Sequence, residues 1–146
     1  MPADEMAALS PVFKATALQS ARARAAVARN LDPLFAPGTV AIIGASARPG
    51  SVGQAIFANV LQGGYAGTVY PVNPKHRSVL GVRAYARVTD IDDELDLAVI
   101  AVPAPGVLDV VEQCAQKGAK AAVVVSAGFK ELGSEGAALE KGLADR

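Results

Sequence analysis

Thr39-Val40-Ala41-Ile42-Ile43-Gly44-Ala45-Ser46-Ala47-Arg48-Pro49-Gly50-Ser51-Val52-Gly53 is the stretch that decides the fold. Its first five residues form a short apolar run without polar alternation, which suits a strand covered on both faces, as in a parallel sheet. Small residues follow from Gly44 to Gly50. From Ser51 to Gln62, Val52, Ile56 and Val60 fall four apart with Phe57 and Leu61 beside them. That spacing predicts a helix, closed by Gly63-Gly64.

The same alternation continues outward. Thr68 to Val72 reads as a second strand, with Pro71 toward its end because proline cannot donate a ladder hydrogen bond. Asn73 to Gly81 reads as a polar loop, Val82 to Tyr85 as a short extended piece, and Thr89 to Glu94 as an acidic helical turn. Leu97 to Val102 is the clearest strand, broken by Pro103-Ala104-Pro105-Gly106. A helix is predicted from Pro105 to Lys117, with Val107, Val110, Val111 and Cys114 at i, i+3, i+4 and i+7, ended by Gly118. Ala121 to Val125 is a further buried strand, Ser126-Ala127-Gly128-Phe129 its exit loop, and Ser134 to Ala144 a last helix. Strands alternating with helices specify an α/β fold: a Rossmann-like doubly wound parallel sheet with right-handed crossovers, in a single domain.

Composition bounds the rest. The 146 residues suffice for one domain with its own core. Thirty alanines and seven aromatics predict helices lying close to the sheet, with few large anchors. Fourteen basic residues balance fourteen acidic ones, so the basic surplus of a nucleic-acid binder is missing, as is the high net charge that goes with disorder. One cysteine, Cys114, and one histidine, His76, cannot assemble a zinc site or a disulfide framework within one copy of the chain. No run of about 18 apolar residues spans a membrane. The start, Met1 to Glu5, lacks the basic-then-apolar pattern of a signal peptide, so cytoplasmic residence is the expectation.

Residues 1–30 stand apart. Ala15 to Arg29 is rich in alanine and arginine, strong helix formers, and predicts a helical N-terminal arm ahead of a domain at 31–146. At the other end, the strand at 121–125 would be an apolar, uncharged sheet edge. Such edges invite pairing, so either a C-terminal continuation with a further strand or a subunit contact in a homo-oligomer is expected there.

Ligands of open α/β sheets sit beyond the carboxyl ends of the strands, where strand order reverses. Four loops gather there: Gly44–Gly50, Asn73–Ser78, Pro103–Gly106 and Ser126–Phe129. The first leaves a buried strand and enters a helix, whose N-terminus offers unpaired N–H groups and partial positive charge to a phosphate. It departs from the dinucleotide fingerprint Gly-x-Gly-x-x-Gly, because Ser46 stands where the second glycine would be and the stretch is longer. A dehydrogenase would place Asp or Glu about twenty residues on, to hold ribose hydroxyls. Counting from Gly53 reaches Asn73, then Pro74, Lys75, His76 and Arg77, with no carboxylate. Cations there suit a phosphorylated ribose, as in NADP or in coenzyme A.

Five motifs in order then resemble a known family: Val40-Ala41-Ile42-Ile43-Gly44-Ala45-Ser46, Pro49-Gly50-Ser51-Val52-Gly53, Tyr70-Pro71-Val72-Asn73-Pro74-Lys75, Leu97-Ala98-Val99-Ile100-Ala101-Val102-Pro103-Ala104, and Ser126-Ala127-Gly128-Phe129 with Glu131. Together they resemble the CoA-binding domain of NDP-forming acyl-CoA synthetases, the ADP-forming acetate–CoA ligases and their succinyl-CoA synthetase α-subunit relatives. The same module is fused to acetyltransferase domains in some protein acetyltransferases, where it would serve as a regulatory CoA sensor. The resemblance implies coenzyme A as ligand. Gly44, Ala45 and Ser46, with Gly50 and Ser51 at the helix start, would receive its phosphates. Val72, Asn73 and Pro74 would line adenine and ribose, with Lys75 near a phosphate. Val102, Pro103 and Ala104 would flank the pantetheine or adenine, and Ser126 and Gly128 would lie where the thiol arm approaches. The resemblance also implies that catalysis belongs to other ligase domains, one carrying a phosphohistidine and one an ATP-grasp fold, in the same or a partner chain. The isolated chain is then expected to be inactive.

The remaining chemistry-bearing residues read as structural. His76 follows Lys75 in a loop and does not match the family's phosphorylated histidine; it reads as a solvated loop residue or else as a phosphate or adenine contact. Cys114 sits on an apolar helical stripe, as buried free cysteines do. Asp90, Asp92, Asp93, Glu94 and Asp96 read as a solvated acidic turn, and Arg83 and Arg87 as surface residues.

Overall fold

The computed structural model describes residues 31–126 together with Ala138, Lys141 and Gly142. The predicted arm at 1–30, Gly128 and most of the predicted last helix lie outside the described residues, though Ala138, Lys141 and Gly142 are helical.

Four parallel strands form the sheet: β1 (Thr39–Ile43), β2 (Thr68–Val72), β5 (Leu97–Ile100) and β6 (Ala121–Val124), in the order β2-β1-β5-β6. Between β2 and β5 the chain makes a small antiparallel hairpin, β3 (Ser78–Val79) with β4 (Val82–Arg83), and a 3-10 turn at Val88–Asp90. Helix α1 (Val52–Gln62) connects β1 to β2, and α2 (Ala104–Lys117) connects β5 to β6. The order reverses between β1 and β5, which opens a crevice at their carboxyl ends.

Residue alternation along the strands divides the core into two layers. Val40, Ile42 and Leu97 pack with Ala45, Phe57 and Val79, with Ile56 and Val60 of α1 against them. Ala41, Ile43, Ala98 and Ile100 pack on the other face with Val88, Ile91, Leu95, Val107 and Cys114. The fold is therefore the expected Rossmann-like α/β domain, with helices on both faces. Phe57 is the largest fully buried side chain, and its burial contributes about 2–3 kcal/mol. Val52 and Leu61, which share the predicted apolar stripe, are exposed instead. Cys114 is buried, and burial pushes its thiol up to about 11.

Pro71 occupies the outermost strand. Its carbonyl accepts from the Tyr85 N–H at 2.9 Å, on the side away from β1, so its donorless nitrogen also faces outward and breaks no bond of the sheet.

Three features differ from the sequence reading. The loop after Lys75 contains the β3–β4 hairpin, whose turn places both Leu80 (φ 49°) and Gly81 (φ 82°) in the left-handed region, as a type I′ turn requires. Strand β6 is not buried: it alternates half-buried and exposed residues, because it is an edge among the described strands. The acidic run is a fastening as well as a turn. Asp96 accepts from the N–H groups of Gly38 (2.8 Å) and Thr39 (3.2 Å) and from Lys120 Nζ (2.8 Å). Those contacts clamp the amino ends of β1, β5 and β6, and the Lys120 ammonium with the Gly38 N–H holds the Asp96 carboxyl below its usual range. Asp93 accepts from the Tyr70 hydroxyl, whose pKa this contact pushes up to about 12.

Candidate functional site

The loop after β1 is shaped by close backbone approach. Gly44 has φ +89°, and a Cβ there would lie 2.4 Å from the Ala101 carbonyl oxygen, at the exit of β5. A Cβ on Gly53, in the first turn of α1, would lie 1.9 Å from the Gly44 carbonyl oxygen. Gly53 thus lets the helix rest directly on the turn, as the third glycine of a dinucleotide fingerprint does, although the spacing is longer. Ser46 Oγ accepts from the Arg48 N–H at 2.9 Å, and Ser51 Oγ donates to the Arg48 carbonyl at 2.9 Å. Ser51 also caps α1, accepting from the Gln54 N–H at 3.3 Å. Ser51 thus uses its proton within the loop, whereas Ser46 only accepts there and keeps its O–H, with the backbone and the Arg48 side chain, to meet a ligand. The first turn of α1 carries no acidic residue, so its positive end is uncompensated.

The exit of β2 is tied to this loop. Asn73 Nδ2 donates to the Ala45 carbonyl at 2.8 Å, and its Oδ1 accepts from the Lys75 N–H at 2.9 Å. One side chain therefore fixes the neighbouring loop and shapes the turn that carries Lys75 and His76.

These loops surround a cleft of about 910 Å³ at the carboxyl ends of the strands. That is at the upper end of the ~300–1,000 Å³ usual for small-molecule sites. Gly44, Ser46, Gly50, Ser51, Val72, Asn73, Pro74, Lys75, Val102, Pro103 and Ser126 all line it. Ala45 and Ala104 do not: they are 0% and 4% exposed, with Ala45 turned into the core beside Phe57. Arg48 and His76 join Lys75 as cationic or titratable lining groups. The sequence reading missed Asp109 and Gln113, which line the cleft from α2. Their polar i, i+4 spacing looks like a solvent-facing helix surface, and the one available signal is that they fall in register with Gly106 and Val110. A carboxylate is thus present in the cleft, but on α2 and not after β2, where a ribose-chelating acid would stand.

A family model described as CoA binding domain matches residues 38–143. The chain belongs to the CoA-binding domain family. Coenzyme A is accordingly its ligand. The alpha subunit of acetate–CoA ligase (ADP-forming) I from Pyrococcus furiosus is 46% identical over 120 residues, covering 80% of this chain and 26% of that protein. Acetate–CoA ligase (ADP-forming) I from Archaeoglobus fulgidus is 49% identical over 115 residues, covering 79% of this chain and 16% of that protein. Among solved structures, the dinucleotide-forming acetyl-coenzyme A synthetase 1 of Ca. Korarchaeum cryptofilum, in complex with phosphate and ADP, superposes with a TM-score of 0.74 at 42% identity. It covers 79% of this chain and 24% of that one. This CoA-binding domain therefore spans about a quarter or less of these three relatives. No helix among its described residues is long and apolar enough to cross a membrane.

Proposed function

We propose that the cleft at the carboxyl rim of the sheet is the CoA site, and that this domain presents the CoA thiol to the catalytic domains of an ADP-forming acyl-CoA ligase. The observation that carries the reading is the turn after β2 that presents the Lys75 cation, held by Asn73 against a glycine-shaped loop and a helix N-terminus. The backbone of Gly44 to Ser46 and of Gly50 and Ser51 receives the pyrophosphate, aided by the α1 N-terminus and Arg48. Val72, Asn73 and Pro74 lie along adenine and ribose, and Lys75 meets the 3′-phosphate. Val102 and Pro103 flank the pantetheine, with Ala104 shaping that wall from behind, and Ser126 and Gly128 lie toward the thiol. Residues 1–30 stand outside this domain of 31–146. The remaining ligase domains, phosphohistidine-bearing and ATP-grasp, belong to the same or a partner chain. The protein works in the cytoplasm, and homo-oligomer formation accompanies that assembly.

Calorimetry with CoA and dephospho-CoA tests the site. Lys75→Ala should weaken CoA by about tenfold or more, the worth of a charge-assisted hydrogen bond, and dephospho-CoA much less. Equal losses for both ligands overturn the placement of the 3′-phosphate. The 146-residue chain should form no acetyl-CoA from acetate, ATP and CoA, and measurable turnover would refute the assignment of catalysis to other domains.

A further inference from the structure

One wall of the cleft is built by a single stripe of α2: Gly106, Asp109, Val110 and Gln113 face it at i, i+3, i+4 and i+7. An adjoining face of the helix, about a quarter-turn round, carries Val107 and Cys114 into the core, so the stripe is fixed in rotation. Its two polar members are joined, with Gln113 Nε2 donating to Asp109 Oδ2 at 2.7 Å. Asp109 Oδ1 takes no partner among the described residues. The stripe runs about 10 Å along the helix, well beyond the first turn in which the helix end favours an anion.

An exposed carboxylate lining the same cleft as Arg48 and Lys75 gives the site two unlike ends. Beside Asp109, beyond the first turn of α2, a phosphate is disfavoured. What fits there is uncharged, offers N–H or O–H donors to Asp109, and has methylene or methyl groups for Val102, Val110 and Val125, which line the same wall. Resting on the reading of this cleft as the CoA site, we infer that Asp109, steadied by Gln113, is a specificity-determining residue that accepts a hydrogen bond from the amide N–H or hydroxyl of the pantetheine arm. It fixes which way round the ligand lies: phosphates toward β1 and β2, arm toward α2. The adenine amino group is the competing donor, and the two are separable because one ligand fragment contains adenine and no pantetheine.

The test is calorimetry of the 146-residue chain with CoA and with adenosine 3′,5′-bisphosphate, for the unsubstituted protein, Asp109→Ala and Gln113→Ala. Asp109→Ala should weaken CoA by about tenfold and the bisphosphate by less than about twofold, the difference being one hydrogen bond to a charged group. Gln113→Ala should show the same selectivity at smaller amplitude. Asp109→Asn keeps the side-chain shape and serves where the alanine variant fails to fold, again with loss confined to CoA. Equal losses for both ligands assign the contact to adenosine and overturn the inference, as does no loss for either. If the unsubstituted chain binds neither ligand, the CoA reading of the cleft itself falls.

Discussion

The α-carbon of Gly53 stands so close to the Gly44 carbonyl that a methyl group added there would sit 1.9 Å from the oxygen. The contact sets how near α1 comes to the end of β1, and hence where the helix N-terminus points. The obstacle is backbone, held in turn by the Gly44 N–H bond to Val72, so it cannot swing aside. Gly53→Ala should therefore cost about 2–3 kcal/mol in chemical denaturation, at the upper part of the overpacking range, and should lower CoA affinity by displacing the loop. A variant with unchanged denaturation midpoint and affinity would show that the helix moves away at no cost.

Asn73 makes no core contact, yet it links the exits of β1 and β2 through Ala45 and Lys75. Asn73→Ala should destabilise the fold by about 1–2 kcal/mol, and should weaken CoA binding by freeing the Lys75 turn. Asn73→Asp retains the acceptor for the Lys75 N–H and loses the donor to Ala45, so it should recover only part of either loss. Full recovery with aspartate would mean that the link to Ala45 does not matter.

The Asp96 clamp makes stability depend on pH. Its carboxyl is held below the unfolded value of about 3.9, so its contribution is complete at neutral pH and is lost as pH falls through that value toward the folded one. Lys120 is held above its ordinary range by Asp96 and then Glu94, so its contribution is lost only as pH rises past about 10.4. Asp96→Asn should be less stable than the unsubstituted protein at pH 7, with the gap narrowing below about pH 4. Thermal melts across that window check it; a gap independent of pH would remove the clamp from the account.

Cys114 is 4% exposed, and burial raises its thiol to about 11. An aromatic disulfide reagent at pH 8 should label it only as fast as the protein opens, with labelling accelerated in denaturant. The same shift has an alkaline consequence. Unfolded chain ionises from about pH 8.5 while the folded thiol stays neutral, so stability contributed below that pH is lost as pH rises toward 11. Rapid labelling in native buffer would place the sulfur outside the core.

The main strands were legible because β1, β2 and β5 are apolar runs bounded by glycine or proline, and because a sheet buried on both faces demands such runs. Ala121 to Val124 carries the same composition and so reads as buried, yet the edge position that the order of elements already implied leaves its alternate residues exposed. The β3–β4 hairpin escaped because each strand has two residues, and because Leu80 gives no turn signal while adopting φ 49°. Within the site, glycine, proline and lysine marked the loops. The positions of Ala45 and Ala104 were not legible, since a small residue beside a ligand loop serves equally well facing the ligand or the core. Asp109 escaped for a different reason: a charge on a helix reads as solvent-facing, which it is, and only the strand exits placed beside it turn that solvent into a cleft.

Pro71 puts an imino acid on the outer margin of the sheet, where β2 would otherwise display a row of donors. Tyr85 can bridge to its carbonyl at one point, but a full-length strand from another molecule cannot zip along that side. Intermolecular growth of the sheet through β2 is thereby opposed by the Pro71 ring together with Tyr85, which donates to Pro71 and accepts from the Asn73 N–H, and the adjoining rim, with Lys75 upon it, is kept clear for small molecules to enter.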